Sequence, residues 1–224
     1  MNNITENLSH VLVIDDHWSI IENGISKILE SSFSEPIIII SARTTNDAVK
    51  QVKKYHSTLK LVIVDLRLPK EIEEIDDLMN GHQLLRNLMK DYPLLNLMVL
   101  SGCGASKLAP LKNEINNHQG GFTTASKDSS PDKIRVSIQR SVDGLRYTQD
   151  IKSEIMELTD REYQILILLC CGQKNPQIAS KLQIAPNTVK EYLKNIYRKM
   201  NISGKDCDSR SMAIKKAGEA GYID

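Results

Sequence analysis

The chain has 224 residues, 41% of them hydrophobic and 25% charged, and its formal net charge is +1. That length holds one large domain or two modest ones, and the composition is that of an ordinary globular protein. No apolar run approaches the ~20 residues that a membrane helix needs, and no basic-then-apolar leader opens the chain. The four cysteines, at 103, 170, 171 and 207, form no C-x-x-C pair and have no histidine cluster at zinc-ligand spacing. The expectation is a reduced, cytoplasmic protein with no membrane partner, in which Cys170 and Cys171 are small core residues of an apolar run. Charge is unevenly spread: Leu158–Asp224 carries 11 Lys/Arg against 7 Asp/Glu, a net of +4, and residues 1–157 net −3. A basic C-terminal third favours phosphate contact there.

The first half alternates short apolar runs with helical patterns. His10–Ile14 stops at two acids, and Ile37–Ile40, Leu61–Val64 and Leu97–Leu100 repeat the form, with a weaker fifth run at Gly121–Ala125. Continuous short apolar runs bounded by polar residues suit strands covered on both faces. Between them lie helical stretches at Ile20–Leu29, Asn46–Tyr55, His82–Lys90, Ser106–Asn117 and Asp132–Tyr147. The third places Leu84, Leu85, Leu88 and Met89 on one stripe. The last carries Ile134, Ile138, Val142 and Leu145 at helical spacing. Five strands alternating with five helices predict an α/β domain, a doubly wound five-stranded parallel sheet of flavodoxin-like form over residues 1–147. A polar linker is expected at 148–157.

From 158 to 224 the pattern is entirely helical, in segments near 159–171, 175–182, 186–200 and 208–220. Thr159 followed by Glu162 is a capping-box signature, Gly172 is a helix stop, and Asn175-Pro176 restarts a helix. A short helix followed closely by a longer one matches a helix-turn-helix. In the third segment Val189, Leu193, Ile196 and Met200 share the inward face. The opposite face carries Asn187, Lys190, Glu191, Lys194 and Arg198, suited to the edges and phosphates of double-stranded DNA.

In a doubly wound sheet, ligands gather at the carboxyl ends of the strands. There the sequence puts Asp15 and Asp16 after the first strand, Asp65 after the third, Ser101 after the fourth and Lys127 after the fifth. Three converging carboxylates call for a hard divalent cation, Mg2+ being the fitting one. A carboxylate beside such an ion can attack a phosphoryl group, with a hydroxyl and an ammonium to hold the new oxygens.

On VLVIDD at 11–16, LVIVDLRLP at 61–69, VLS at 99–101 and SKD at 126–128, residues 10–147 resemble the receiver domain of response regulators. On LTDREYQIL, QKNPQIASKL, NTVKEYLKNIYRKM and SRSMAIKKAGEAGYI, residues 158–223 resemble the LuxR/FixJ-type DNA-binding domain, and the whole is similar to NarL/FixJ-class two-component regulators. The resemblance implies Asp65 as phosphoacceptor, charged by a sensor histidine kinase. It implies Asp16 as a direct metal ligand, Asp15 as one acting largely through water, and the carbonyl of Arg67 as a backbone ligand. Ser101 and Lys127 become the groups that answer the phosphoryl group. Lys190, Glu191 and Lys194 would face bases, Asn187, Thr188, Lys181 and Lys199 would lie nearer phosphates, and the Ala213–Gly221 helix would pair two copies on DNA.

This sequence departs from the receiver pattern in several places. Receivers place a Gly about four residues after the Pro of the third-strand motif, whereas Pro69 and Gly81 are twelve apart. The acidic excess, EIEEIDDLMN within 70–80, is a possible partner contact or a surface excursion. The Ser101–Lys127 segment is about four residues longer than usual, with Thr124 where an aromatic is common. Arg67 beside the phosphoacceptor, Ala185 in place of a capping Ser, and Tyr192 in place of a common His are further differences. Two rival readings follow. One is a receiver switched by partner or ligand binding, or by constitutive dimerisation. The other, more remote, is an aspartyl-phosphate hydrolase, against which Arg67 stands where a second acid is needed; the main reading is not an enzyme.

Overall fold

The computed structural model describes residues 9–17, 24–70, 78–102, 105–147, 158–202 and 208–219. The expected linker at 148–157, most of the acidic insert, Cys103, Cys207 and the end of the last helix lie outside them. The chain divides into two compact units, Met1–Ala105 with Asn113–Gln149, and Ser106–Lys112 with Asp150–Asp224.

The first unit is built on a parallel sheet of β1 (Ser9–Ile14), β2 (Ile37–Ala42), β3 (Leu59–Val64), β4 (Leu97–Ser101), β5 (Phe122–Ser126) and β6 (Arg146–Tyr147). The strand order is β2-β1-β3-β4-β5-β6. The five expected strands are present. The two-residue β6 extends the edge, pairing Phe122 with Arg146 and Thr123 with Tyr147. Interleaved along this part of the chain are α1 (Ile25–Glu30), α2 (Thr45–Tyr55), α3 (Leu78–Asp91), a 3-10 turn at Ala105–Leu111, α4 (Lys112–Asn117) and α5 (Pro131–Val142), of which Ser106–Lys112 is counted with the second unit. Alternation along the strands sorts the core. Val11, Val13, Leu61, Ile63, Met98 and Leu100 pack with Ile25 and Leu29 of α1 and Ile134 and Ile138 of α5. Leu12, Ile14, Val62, Val64, Leu97 and Val99 line the opposite face and are no more than 3% exposed.

Two helix expectations change. The 106–117 stretch is not one helix but a 3-10 segment followed by α4, with Pro110 inside the 3-10 part; proline lacks the amide that an α-helix needs there. The last helix of this unit ends at Val142, because Gly144 takes a φ of +76°, a conformation glycine adopts without strain. Leu145, expected on the helical stripe, is therefore outside the helix and 53% exposed.

Helices α6 (Asp160–Cys170), α7 (Asn175–Leu182), α8 (Pro186–Lys199) and α9 (Asp208–Glu219) are the described C-terminal helices of the second unit. The capping box at α6 is formed: Thr159 Oγ1 accepts from the amide of Glu162, and Glu162 Oε2 accepts from the amide of Thr159 at 2.7 Å. Gly172, at φ +77°, follows the C-cap Cys171. The cap of α7 is Lys174, with Asn175 already helical, and the helix spans the expected 175–182. Gln183 turns the chain between α7 and α8 through φ +53°. Ala185 caps α8 without a side-chain bond, and Pro186 fixes the first helical φ instead. Val189, Leu193, Ile196 and Met200 are buried as the periodicity requires. Cys170 is only half-buried and Cys171 is exposed, because the apolar run outlasts the helix by one residue and its final thiol falls on the C-cap.

Candidate functional site

Strand order reverses between β1 and β3, so their carboxyl ends open the crevice where such sheets hold ligands. Sheet hydrogen bonds set the loops there. The amide of Asp15 donates to Ala42 O at 3.0 Å, that of Asp65 to Ile14 O at 2.9 Å, and that of Lys127 to Ser101 O at 3.2 Å. Asp15, Asp65, Ser101 and Lys127, spread over more than a hundred positions of sequence, are thereby fixed to one rim.

At its centre is the Asp65 carboxylate, 6% exposed. Ser101 Oγ donates to Asp65 Oδ1 at 2.6 Å, and Lys127 Nζ donates to Asp65 Oδ2 at 2.5 Å. The same ammonium lies 2.5 Å from Asp15 Oδ2, so it bridges two buried carboxylates. The amide of Arg67 approaches Asp65 Oδ1 at 3.4 Å. Burial pushes the Asp15 carboxyl above its usual range; Lys127 opposes this, and the neighbouring charge of Asp65 adds to it. For Lys127 burial works against the charge, but the bonds to Asp15 and Asp65 outweigh it and hold the ammonium above its ordinary value.

Asp16 is placed differently. Its Oδ1 lies 2.8 Å from His17 Nδ1, and its carbonyl accepts from Arg43 Nε at 3.4 Å. His17 carries no signal at the sequence level beyond its place next to the acid pair, and Arg43, 27 positions from Asp16, carries none. One oxygen of Asp15, one of Asp16 and a ring nitrogen of His17 fall within 4.8 Å of one another. The carboxylates of Asp15, Asp16 and Asp65 are hard oxygen donors, the kind a magnesium ion takes. Two of these carboxylates, Asp15 and Asp65, are buried and share the single ammonium of Lys127. The residues fit a divalent cation.

The distance between Pro69 and Gly81 is absorbed without losing the glycine's contact. A Cβ on Gly81 would stand 2.0 Å from the carbonyl oxygen of Leu66, immediately after Asp65. Asn80 Nδ2 donates to Leu68 O at 3.0 Å, so the start of α3 holds the turn that carries the phosphoacceptor candidate.

In the second unit Asn187, Thr188, Lys190, Glu191 and Lys194 of α8 and Lys181 of α7 are all exposed. Lys190, Lys194 and Arg198 share the wall of a concavity of about 720 Å³ with Asn175 and Arg210. Arg210 itself reaches across to Gln173 O and Asn175 Oδ1, tying the start of α9 to the α6–α7 turn. Lys199, expected near phosphates, is half-buried, and its ammonium donates to Glu162 Oε2 at 2.6 Å. It ties the end of α8 to the start of α6, a pairing that no local pattern announces. Among the described residues, no helix is long and apolar enough to cross a membrane.

Residues 156–212 match the family described as bacterial regulatory proteins, luxR family. The response regulator UvrY of Escherichia coli K12 is 25% identical over 221 residues, covering 92% of this chain and 94% of that protein. The nitrate/nitrite response regulator protein homolog of Haemophilus influenzae is 27% identical over 206 residues, covering 86% and 90%. In fold, the chain is similar to RcsB from Salmonella enterica serovar Typhimurium, solved bound to promoter rprA, with a TM-score of 0.62 at 18% identity over 92% of this chain and 98% of that one. With the parallel sheet and the four helices of the second unit, these likenesses make the chain similar over most of its length to response regulators, with a luxR-family match over its C-terminal helices.

Proposed function

We propose that Asp65 accepts a phosphoryl group from a sensor histidine kinase and that this phosphorylation governs DNA binding by paired copies of the chain. The observation that carries the reading is the buried Asp65 carboxylate, with Ser101 on one oxygen and Lys127 on the other. An oxygen of Asp65 forms the new P–O bond as the P–N bond to the donor imidazole breaks, and the imidazole leaves with its electron pair. The Ser101 hydroxyl then exchanges its Asp65 acceptor for a phosphoryl oxygen. Lys127, already charged, pairs with the added negative charge. That exchange at two strand ends is the local event from which a two-state change in the domain follows.

Receiver domains generally use Mg2+. Here Asp15, Asp16, Asp65 and the carbonyl of Arg67 would hold it, and bound there it would neutralise charge on the transferring group. We take residues 1–147 as the receiver, 148–157 as the linker and 158–224 as the DNA-binding domain. Lys190, Glu191 and Lys194 read base edges in the major groove. Asn187, Thr188 and Lys181 contact the backbone, and Lys199 does so only by sharing or leaving Glu162. The α9 helix pairs two copies on adjacent half-sites. RcsB supports binding of DNA by paired copies by analogy, since a structure with TM-score 0.59 at 17% identity holds two RcsB dimers on two parallel DNAs.

The test is incubation of the full chain with Mg2+ and a small phosphodonor. A mass gain of one phosphoryl group that is absent in Asp65→Asn is expected, with tighter DNA binding after the gain. No gain in a protein that still binds DNA would replace this reading with a regulator switched by partner binding or constitutive dimerisation.

A further inference from the structure

Two of the proposed metal ligands are held by a residue outside the ligand set. The amide of His17 donates to Asp15 Oδ1 at 2.8 Å, and its ring Nδ1 lies 2.8 Å from Asp16 Oδ1. A carboxylate oxygen only accepts, so Nδ1 carries the proton and acts as donor. The two contacts have different consequences. Asp15 is buried, and its other oxygen is already held by Lys127, so its orientation survives loss of the imidazole. The Asp16 side chain is 21% exposed, and the ring of His17 fixes the oxygen that would otherwise turn freely into water.

We propose that His17 is a positioning residue for the divalent cation, its ring orienting the Asp16 carboxylate before the ion arrives. The inference rests on Asp15 and Asp16 being metal ligands. Outer partners that orient a ligand contribute about 10- to 100-fold in metal affinity. The ring is 65% exposed, and water competes with it, which places His17 at the lower end. The ring nitrogen is near enough to the acids to be mistaken for a ligand. Its proton points at Asp16, however, and magnesium prefers oxygen.

Calorimetric titration of the full chain with Mg2+, and separately with Mn2+, tests this on His17→Ala and His17→Asn. The side-chain amide of Asn can donate from nearly the position of Nδ1. His17→Ala is expected to bind both ions about tenfold more weakly. His17→Asn is expected to recover most of that loss. The rate of phosphorylation at saturating Mg2+ is expected to be unchanged in both, and so is the melting temperature in chelator. Unchanged Mg2+ affinity in His17→Ala overturns the inference. So does a loss confined to Mn2+, or one that Asn does not restore, since either would make the imidazole a ligand. Absence of Mg2+ binding by the unsubstituted chain would instead overturn the reading of the acidic site itself.

Discussion

Glu162 gives the sharpest test of how the second unit is held together. Its Oε2 accepts from the Thr159 amide at 2.7 Å, from Thr159 Oγ1 at 2.9 Å and from Lys199 Nζ at 2.6 Å. Its side chain is 5% exposed and that of Lys199 30%. Glu162→Gln keeps an oxygen for the Thr159 amide and removes the charge. A hydrogen bond to a charged group contributes about 1.5–3 kcal/mol, and the partly exposed ammonium can turn to water, so the expected loss is about 1.5–2 kcal/mol. Glu162→Ala also removes the reciprocal cap, adding about 1 kcal/mol. The pH dependence has a definite sign. Burial alone would raise this carboxyl, but the bonds from Lys199 and Thr159 outweigh it and hold the pKa below its ordinary 4.5. The stabilisation is thus complete above 4.5 and is lost as pH falls through the lower folded value. Hydrogen exchange of the α6 amides in the full chain reads this locally. Equal exchange in wild type and Glu162→Gln at neutral pH, or a difference that persists undiminished in acid, would refute the argument. Lys199→Met should show the same local loss, and the double substitution should cost less than the sum.

Other consequences follow from single contacts. Gly81→Ala drives a methyl group into the Leu66 carbonyl, which is backbone and cannot swing away. It should cost about 1–3 kcal/mol in thermal unfolding and slow phosphorylation of Asp65; a variant as stable and as reactive as wild type would count against the contact. Leu145→Ala should change stability by less than about 0.5 kcal/mol because the side chain is exposed, whereas Ile138→Ala on the same sequence stripe should cost about 2–5 kcal/mol. Lys194→Ala should weaken specific DNA binding by about 1–3 kcal/mol and relax base preference at one position, as a base contact would. If it instead lowers the salt slope by about one with preference intact, Lys194 is a phosphate contact.

Periodicity made much of the architecture readable. Strands announced themselves as apolar runs ending at Asp15, Asp65 and Ser101, and α8 as a helix with one apolar and one charged face. The capping box at Thr159 and Glu162 was equally legible, because its partners are three residues apart and helical geometry brings them together. Where a turn residue intervened, local reading overran: the stripe through Leu145 continues past Gly144, whose positive φ ends the helix.

What the sequence by itself determined was the alternation of elements and the set of chemically capable side chains at the strand ends. Both follow from repeats of two and 3.6 residues and from strand ends that share a rim. Only the tertiary structure decided which of those groups touch. Lys127 meets Asp65 across 62 positions of sequence, Ser101 meets it across 36, and Lys199 meets Glu162 across 37. Gly81 returns to Leu66 although the insertion displaces it along the chain. The physical reason is that side-chain pairing depends on sheet order and helix packing, which sum contributions from the whole chain, so no window of neighbouring residues contains it.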